Sequence, residues 1–235
     1  MTRSPIWSAI ADTLQADIRD GHYRPGDKLP TEAALAARFG VNRHTVRHAL
    51  ARLAEVGIVH ARRGSGVFVT ARPTEYRLGK RVRFHQNVLA VGQSPSRKIT
   101  RAETRAADAE ETVALALPKG SAVHVVEGIS LADGQPLAAF RSVFPAARFP
   151  GLPALIAAEG SITRALSTLG LEDYTRQETR LTAQLADPVL ALSLLLRPGA
   201  ALLRSVAVNV DAEGKPVEYG TTWFAGERVT LTVAA

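Results

Sequence analysis

The chain has 235 residues, no cysteine and a formal net charge of +7. This length allows two ordinary domains, and the missing cysteines exclude a disulfide framework, a zinc knuckle and a thiol nucleophile. No apolar run reaches the roughly 18 residues that a membrane-spanning helix needs, and no apolar segment follows a basic start. We therefore expect a cytoplasmic protein with no cofactor, no metal and no membrane partner.

Three amphipathic helices are predicted in the first 57 residues. The first ends at Gly21 and carries Trp7, Ile10, Leu14 and Ile18 on one face. Thr31 is a suitable N-cap for the second helix, which Gly40 ends, and Asn42 is one for the third. The third helix has an apolar stripe that packs on the other two and consists of Val46, Ala49, Leu50 and Leu53.

The third helix is basic on the side opposite its apolar stripe. This side carries His44, Arg47, His48 and Arg52, with Arg43 and Thr45 flanking it in the first turn. A capped helix N-terminus also directs unpaired N–H groups toward phosphate. Residues 1–72 contain 11 Lys/Arg against 6 Asp/Glu, so +5 of the net charge lies in this third of the chain. Phosphate binding therefore explains the basic face better than simple solvation does.

A short basic hairpin is predicted after the third helix. Arg62 and Arg63 stand at its tip, and Gly64 and Gly66 allow a tight turn. Two short helices followed by such a hairpin are the parts of a winged helix-turn-helix. In that fold the second helix of the pair enters the DNA major groove, and the hairpin lies on the backbone. We expect Arg63 to contact phosphate or the minor groove rather than major-groove bases.

The N-terminal third resembles the DNA-binding domain of GntR-type bacterial transcription factors. The shared motifs are Leu29-Pro30-Thr31-Glu32, the run from Val41 to Leu50, and the run from Gly64 to Val69. Asn42 stands where serine is usual, and Ala33 stands where many members carry a DNA-contacting arginine, which removes one contact. The residues that the basic face and the resemblance together mark as DNA-binding are Arg38, Asn42, Arg43, His44, Thr45, Arg47, Arg63, Gly64 and Gly66.

The predicted organisation is a DNA-binding domain over residues 1–70, an aperiodic linker over 71–80 and a second domain over 81–235. The second domain contains an internal repeat, because the segment 108–120 recurs at 187–199 and the turn 133–136 recurs at 213–216. Each unit is predicted as a strand containing Glu-Thr-Arg, a short helix and a hairpin with an acidic-Gly turn. Two such units sharing one core give an antiparallel sheet, so the fold class is α+β.

Three parts of the second domain predict an anion site. Ser161 caps a helix with Thr163 in its first turn, which brings N–H and hydroxyl groups together. Residues 83–87 group polar side chains around Phe84 without periodicity, as a binding loop would. A strand over 174–180 carries tyrosine, arginine and glutamate at every second position, although a plain helix cap and cross-strand surface pairs would explain the same residues without a ligand. The candidate effector-binding residues are Arg83, Phe84, His85, Asn87, Arg141, Ser161, Thr163, Tyr174, Arg176, Glu218 and Tyr219.

The second domain resembles the effector-sensing UTRA domain of the HutC branch of the same family, whose fold is similar to that of chorismate lyase. Within the branch, the runs 81–87 and 170–179 resemble PhnF-type regulators of phosphonate-use genes. Relatives that sense sugar phosphates carry two arginines before the first hairpin turn, where this chain has Gly128 and Ser130. The resemblance therefore implies a small anionic effector such as a phosphonate, a phosphate or a phosphate ester.

The expected function is that of a homodimeric, ligand-responsive repressor that binds an inverted-repeat operator in double-stranded DNA. We expect the dimer contact in residues 76–235, because the basic N-terminal surface would repel its copy. An enzyme is less favoured, since the chain has no nucleophile elbow, P-loop or His-Glu metal motif, although acid catalysis by Glu178 or Glu218 stays open. The residues also leave open a regulator that responds to a sugar phosphate or an amino-acid catabolite, and a protein that coats DNA.

Overall fold

The computed structural model describes residues 5–62, 64–70, 73–81 and 83–233, in two compact units that comprise residues 1–72 and 73–235. The first unit has three helices and a hairpin, as the sequence predicted. The capping residues mark the helix ends. Thr31 accepts a hydrogen bond from the N–H of Ala34 (3.2 Å), and Gly40 ends the same helix with a left-handed φ of 62°. Its elements are α1 (Ile6–Arg19), α2 (Glu32–Phe39), α3 (Arg43–Glu55), β1 (Val59–Arg62) and β2 (Gly66–Val69).

The core of the first unit joins the three helices to the hairpin. The predicted apolar stripes face this core, with Leu14, Leu35 and Val46 fully buried and both ends of the α1 stripe partly buried. Strands β1 and β2 pair antiparallel, and the buried pair of Val59 and Val69 attaches the base of the hairpin to the same core. The hairpin is therefore held firmly against the helices, as a DNA-contacting wing requires.

The second unit is built on one antiparallel sheet of six strands in the order β4-β5-β6-β9-β8-β7. A separate pair of parallel strands joins the two ends of the unit. The elements are β3 (Thr74–Leu78), α4 (Phe84–Ala90), β4 (Pro95–Ala106), α5 (Ala109–Ala114), β5 (Ala122–Ala132), β6 (Gln135–Pro145), α6 (Leu152–Glu159), α7 (Ile162–Thr168), β7 (Thr175–Leu185), α8 (Pro188–Ser193), β8 (Ala201–Val210), β9 (Pro216–Ala225) and β10 (Val229–Val233).

The sheet contains the internal repeat that the sequence predicted. Strands β4-β5-β6 form one half and β7-β8-β9 the other, and the halves meet where β6 pairs with β9. The helices α5 and α8 occupy the same place in each half, capped by Asp108 and Asp187. Even the unusual backbone recurs, since Ala116 and Leu195 both have positive φ values, 50° and 52°.

The two faces of the sheet are covered by different helices. On the inner face, Val126, Phe140 and Phe144 pack against α6 and α7. On the outer face, α5 and α8 pack against the alternate residues of the same strands, including Val125 and Ile129. Because successive residues of a strand point to opposite faces, one position separates an inner residue from an outer one.

Two expectations about the start of the second unit are wrong. Residues 74–78 of the expected linker form β3, which pairs in parallel with β10 and buries Thr74, Tyr76 and Leu78 at alternate positions. The expected binding loop 83–87 is largely helical, because α4 begins at Phe84. Among the described residues, no helix is long and apolar enough to cross a membrane.

Candidate functional site

The N-terminal turn of α3 presents the first part of the candidate DNA-binding surface. The side chain of Asn42 accepts hydrogen bonds from both the N–H and the hydroxyl of Thr45, each at 2.9 Å. These two side chains therefore fix the start of the helix. The next residues, Arg43 and His44, are exposed, and Arg43 makes no ion pair in the part of the chain that the structure describes. Arg43 is thus available for a base or a phosphate.

Arg47 is exposed, but its guanidinium is already bound to a carboxylate of the same unit. Its guanidinium donates to both oxygens of Glu32 on α2, at 3.0 and 2.7 Å. This bidentate pair also holds the pKa of the Glu32 carboxyl below its usual range. Arg47 therefore has to exchange Glu32 for DNA when it binds, which reduces the net gain from its contact.

Other residues predicted to face DNA have structural partners. Arg38 forms an ion pair with Asp17 on α1 (2.8 Å) and donates to the hydroxyl of Tyr23 (3.4 Å), so it links α2 to its neighbours. His48 does not simply point away from the core, because its ring stacks on that of Trp7 with centroids 4.4 Å apart. Both side chains contribute to the packing of α1 against the pair of helices.

The two glycines of the wing have backbone roles, whereas Arg63 lies outside the described residues. Gly64 has a φ of 75° and Gly66 one of 107°, values that favour glycine. A Cβ on Gly66 would also lie 2.8 Å from Cε of Lys28. These positions set the shape of the wing rather than donating side-chain contacts.

The second unit contains a cavity on the inner face of its sheet, near the junction of β6 and β9. Its volume is about 610 Å³ when the space open to solvent is included. The walls come from the strands β6, β8 and β9, from the starts of α4 and α7, and from β3, β4 and the start of β7. The lining residues are Tyr76, Arg83, Phe84, Arg97, Phe140, Ser142, Ile162, Thr163, Tyr174, Arg176, Ser205, Ala207, Asn209, Glu218, Gly220 and Thr222.

Three guanidinium groups line this cavity. Arg83 lies over the ring of Tyr174, 3.6 Å from its centroid, and donates to the carbonyl of the same residue (2.9 Å). Arg97 lies over the ring of Phe140 at 4.9 Å, and its buried Nε has no hydrogen-bond partner among the described residues. A buried donor without a partner is costly, and a ligand that accepts from it removes that cost.

The positive charge of the cavity is only partly compensated. Arg83 approaches Asp173 at 3.5 Å, but neither Arg97 nor Arg176 forms an ion pair in the described part of the chain. The one carboxylate among the lining residues belongs to Glu218. Such an excess of guanidinium charge suits an oxyanion, because arginine can donate to two oxygens at once.

Neutral donors add to the same environment. Burial raises the pKa of Tyr76 and Tyr174 above the usual value, and the nearby Glu218 raises both further, while Arg97 opposes the rise. Both phenols are therefore protonated at neutral pH. The hydroxyl groups of Ser142 and Thr163 also line the cavity. The site thus offers hydrogen-bond donors of two kinds, charged and neutral.

Six of the predicted effector residues line the cavity, and three others on the neighbouring segments do not. The lining group comprises Arg83, Phe84, Thr163, Tyr174, Arg176 and Glu218. Ser161 caps α7 by accepting from the N–H of Arg164 (3.3 Å), and Asn87 exchanges hydrogen bonds with the backbone of Arg77. His85 is exposed and is not among the lining residues. These three side chains stabilise the walls or face away.

Arg141 and Tyr219 lie on the outer face, so their assignment to the same pocket is wrong. Arg141 donates to the buried Glu111 (2.6 Å), which also receives two hydrogen bonds from Arg105 (2.7 and 2.8 Å). The hydroxyl of Tyr219 donates to Glu110. Each is the immediate neighbour of a strand position on the inner face, and the alternation of the strand turns it away from the cavity.

A β-bulge separates Arg176 from the residues that follow it on β7. The register shifts between Arg176, which pairs with Asn209, and Glu178, which pairs with Val208. Arg176 thus faces the cavity, whereas Glu178 and Arg180 form an exposed ion pair on the outer face (2.8 Å). The sequence had predicted a single face for all three, because a bulge leaves no clear mark in a polar strand.

The sequence analysis missed several polar residues of the cavity. Ser205 and Asn209 on β8 and Thr222 on β9 point to the inner face and alternate with residues of the outer face, and this period of two is a usable signal. Arg97 on β4 carried no such signal, because the residues on both sides of it in the sequence are polar and exposed. Arg97 pairs in register with Ser130. Position 130 is one of the two positions at which relatives that sense sugar phosphates carry an arginine.

Known protein families match both units. The UTRA domain matches residues 90–230, and the gntR family of bacterial regulatory proteins matches residues 7–69. An uncharacterized HTH-type transcriptional regulator of Rhizobium meliloti (strain 1021) is 38% identical over 97% of this chain and 94% of its own length. The probable transcriptional regulator PhnF of Escherichia coli (strain K12) is 32% identical, again over 97% of this chain and 94% of that protein. The crystal structure of PhnF from Mycobacterium smegmatis matches with a TM-score of 0.69 and 26% identity, covering 96% of this chain and 98% of the other.

The chain therefore belongs to the GntR family of bacterial transcriptional regulators, and its UTRA domain places it in the HutC branch. Regulators of this kind bind operator DNA through the helix-turn-helix and a small-molecule effector through the UTRA domain. The protein is accordingly a DNA-binding transcriptional regulator and not an enzyme, and the expected resemblance to PhnF is confirmed.

Proposed function

We propose that this protein is a repressor of genes for the use of phosphonates or phosphate esters, and that its cavity binds the anionic inducer. The observation that carries the proposal is the pair Arg97 and Arg176, two cavity guanidiniums without a carboxylate partner among the described residues. The names of the two PhnF relatives support the phosphonate assignment. An oxyanion placed between these groups receives several charge-assisted hydrogen bonds, each contributing about 1.5–3 kcal/mol when shielded from water.

The chain segment beside the cavity suggests how the ligand affects DNA binding. The N–H of Arg176 donates to the carbonyl of Lys80 (2.7 Å), and Arg81 and Arg83 both bind Asp173. Residues 79–83 follow β3, the first strand after the DNA-binding unit. A ligand that draws Arg83 and Arg176 toward itself therefore pulls on the segment that leads to the wing. In this mechanism the ligand shifts the protein toward a form with lower operator affinity.

A sugar-phosphate effector is the second candidate, and the structure of β5 argues against it. A Cβ on Gly128 would lie 2.4 Å from the carbonyl oxygen of Lys98 and 2.9 Å from the ring of Phe140. An arginine, the residue that the resemblance associates with sugar-phosphate sensing, does not fit at this position. A smaller anion bound by Arg97 therefore fits this cavity better than a sugar phosphate does.

Thermal unfolding in the presence of phosphate, alkylphosphonates and sugar phosphates tests the proposed ligand class. A ligand at 100 times its dissociation constant adds roughly 2.7 kcal/mol of stability. Phosphate or a phosphonate is expected to stabilise the wild type, whereas Arg176→Ala abolishes this effect and leaves operator affinity unchanged. Arg180→Ala is the matched control, because Arg180 lies on the same strand but on the outer face. Stabilisation by sugar phosphates alone, or an Arg176→Ala variant that responds like wild type, contradicts the proposal.

We further propose a homodimer that binds an inverted repeat with half-sites about one helical turn apart. A single winged helix contacts too few bases to select one operator sequence, so a second DNA-binding domain is required. The full chain is expected to sediment as a dimer at micromolar concentration and to protect two equivalent half-sites in footprinting. A monomer in sedimentation, or protection of one half-site only, refutes this arrangement.

A further inference from the structure

Glu218 is a carboxylate placed where an anion is expected to bind. It lines the same cavity as Arg83, Arg97 and Arg176, yet it forms an ion pair with none of them in the described part of the chain. One carboxylate oxygen, Oε2, accepts from Nδ2 of Asn209 (2.6 Å), and the other oxygen accepts no hydrogen bond from the described residues. Glu218 is also close enough to Tyr174 to raise the pKa of that phenol.

A half-buried carboxylate weakens the binding of a simple anion, because like charges repel strongly where water is excluded. The repulsion becomes attraction if the ligand carries a positive charge on that side. Three of the four aromatic rings in the walls already carry a guanidinium, since Arg83 covers the ring of Tyr174 and Arg97 those of Phe84 and Phe140. Glu218 is thus the acceptor that the cavity provides for a cation.

We propose that the ligand is a zwitterion, with an oxyanion held by Arg97 and Arg176 and a protonated amine held by Glu218. This inference rests on the proposed function and narrows its ligand class to phosphonates and phosphate esters that carry an amine. The spacing is short, because a single amide, that of Asn209, lies between Nε of Arg176 (3.4 Å) and Oε2 of Glu218 (2.6 Å). A ligand whose amine and phosphorus are only a few bonds apart reaches both groups.

The competing explanation gives Glu218 a positioning role. In that case its carboxylate only orients Asn209, which in turn accepts from Arg176. The substitution Glu218→Gln separates the two explanations, because a glutamine side chain still accepts a hydrogen bond from Asn209 but has no charge. A positioning role affects every anion equally, whereas a charge role affects only ligands that carry an amine.

Titration calorimetry with the full chain and three probes tests the inference: 2-aminoethylphosphonate, ethylphosphonate and inorganic phosphate. The wild type is expected to bind 2-aminoethylphosphonate at least tenfold more tightly than ethylphosphonate. Glu218→Gln is expected to lose this preference and to bind ethylphosphonate as tightly as wild type or more so. Glu178→Gln is the matched control and keeps the preference, because Glu178 forms its ion pair on the outer face.

The outcomes separate this inference from the proposed function. Equal affinity of the wild type for the two phosphonates overturns the zwitterion and leaves the phosphonate regulator standing, and this comparison needs no variant to fold. Equal weakening of both probes in Glu218→Gln overturns it as well, in favour of the positioning role. If none of the three probes binds the wild type, both the inference and the proposed function fail.

Discussion

Replacing Glu111 with glutamine is expected to lower the free energy of unfolding of the second unit by about 3 kcal/mol at pH 7. The Glu111 carboxylate is buried on the outer face and receives hydrogen bonds from Arg105, from Arg141 and from the N–H of Asp108. Burial alone would raise its pKa, but the hydrogen bonds and the two positive charges outweigh burial and lower the pKa to about 2. Loss of the charge leaves two half-buried guanidiniums without their common partner.

The same group makes the stability of the protein depend on pH. Because the pKa of Glu111 is lower in the folded state than its usual value of 4.5, its contribution is complete above pH 4.5. That contribution is lost as the pH falls from 4.5 toward 2. Glu111→Gln should therefore show a flatter dependence of stability on pH across this range than the wild type.

Urea unfolding followed by tryptophan fluorescence measures this effect. The chain has two tryptophans, one in each unit, so a Trp7→Phe background leaves Trp223 as the reporter of the second unit. The control is Glu178→Gln, whose exposed ion pair contributes less than about 1 kcal/mol. A loss below about 0.5 kcal/mol in Glu111→Gln would show that the cluster around it is not a stabilising network.

Replacing Arg43 with alanine is expected to reduce operator affinity by about 10- to 100-fold and to relax base preference at one position of each half-site. Arg43 lies in the first turn of α3, is exposed and has no ion pair among the described residues to break. Arginine in that place can donate to two acceptors of one guanine in the major groove.

The structure also predicts that Arg47→Ala has the smaller effect of the two. Arg47 must give up both hydrogen bonds to Glu32 before it contacts DNA, so the net loss on its removal is reduced. Arg52→Ala serves as a control, since Arg52 lies in the last turn of the same helix and pairs with Glu55. Competition binding against variant operators measures both affinity and base preference. Unchanged affinity and preference in Arg43→Ala would contradict the assignment of α3 to the major groove.

The elements that could be predicted are those whose ends are marked by their own capping residues. Thr31 and Asn42 mark helix starts through hydrogen bonds of their side chains, and Gly40 marks a helix end through its left-handed backbone. Strand β3 has no such mark, because its partner β10 lies about 150 residues further along the chain. Its alternation of buried and exposed residues spans only five positions, which also suits an irregular segment.

The candidate site was predictable by residue type but not by face. Glu218 lines the cavity and Tyr219 does not, since neighbours on a strand point to opposite sides. Deciding which of two neighbours faces inward requires the register of each strand, and the bulge after Arg176 changes that register within one strand. Arg97 became part of the site only through packing, because the sheet brings β4 close to Phe140.

The junction of β6 and β9 bears on how the sheet could have evolved. It joins two halves with the same order of elements, so the sheet has the arrangement that duplication and fusion of a gene for a half-sized protein produces. Two identical chains that met at such a junction would supply the same strand residues to both halves of the sheet. Both halves supply an arginine to the cavity, Arg97 from β4 and Arg176 from β7, whereas the carboxylate of Glu218 comes from β9 alone. The two halves thus keep one order of elements but give the cavity different charges.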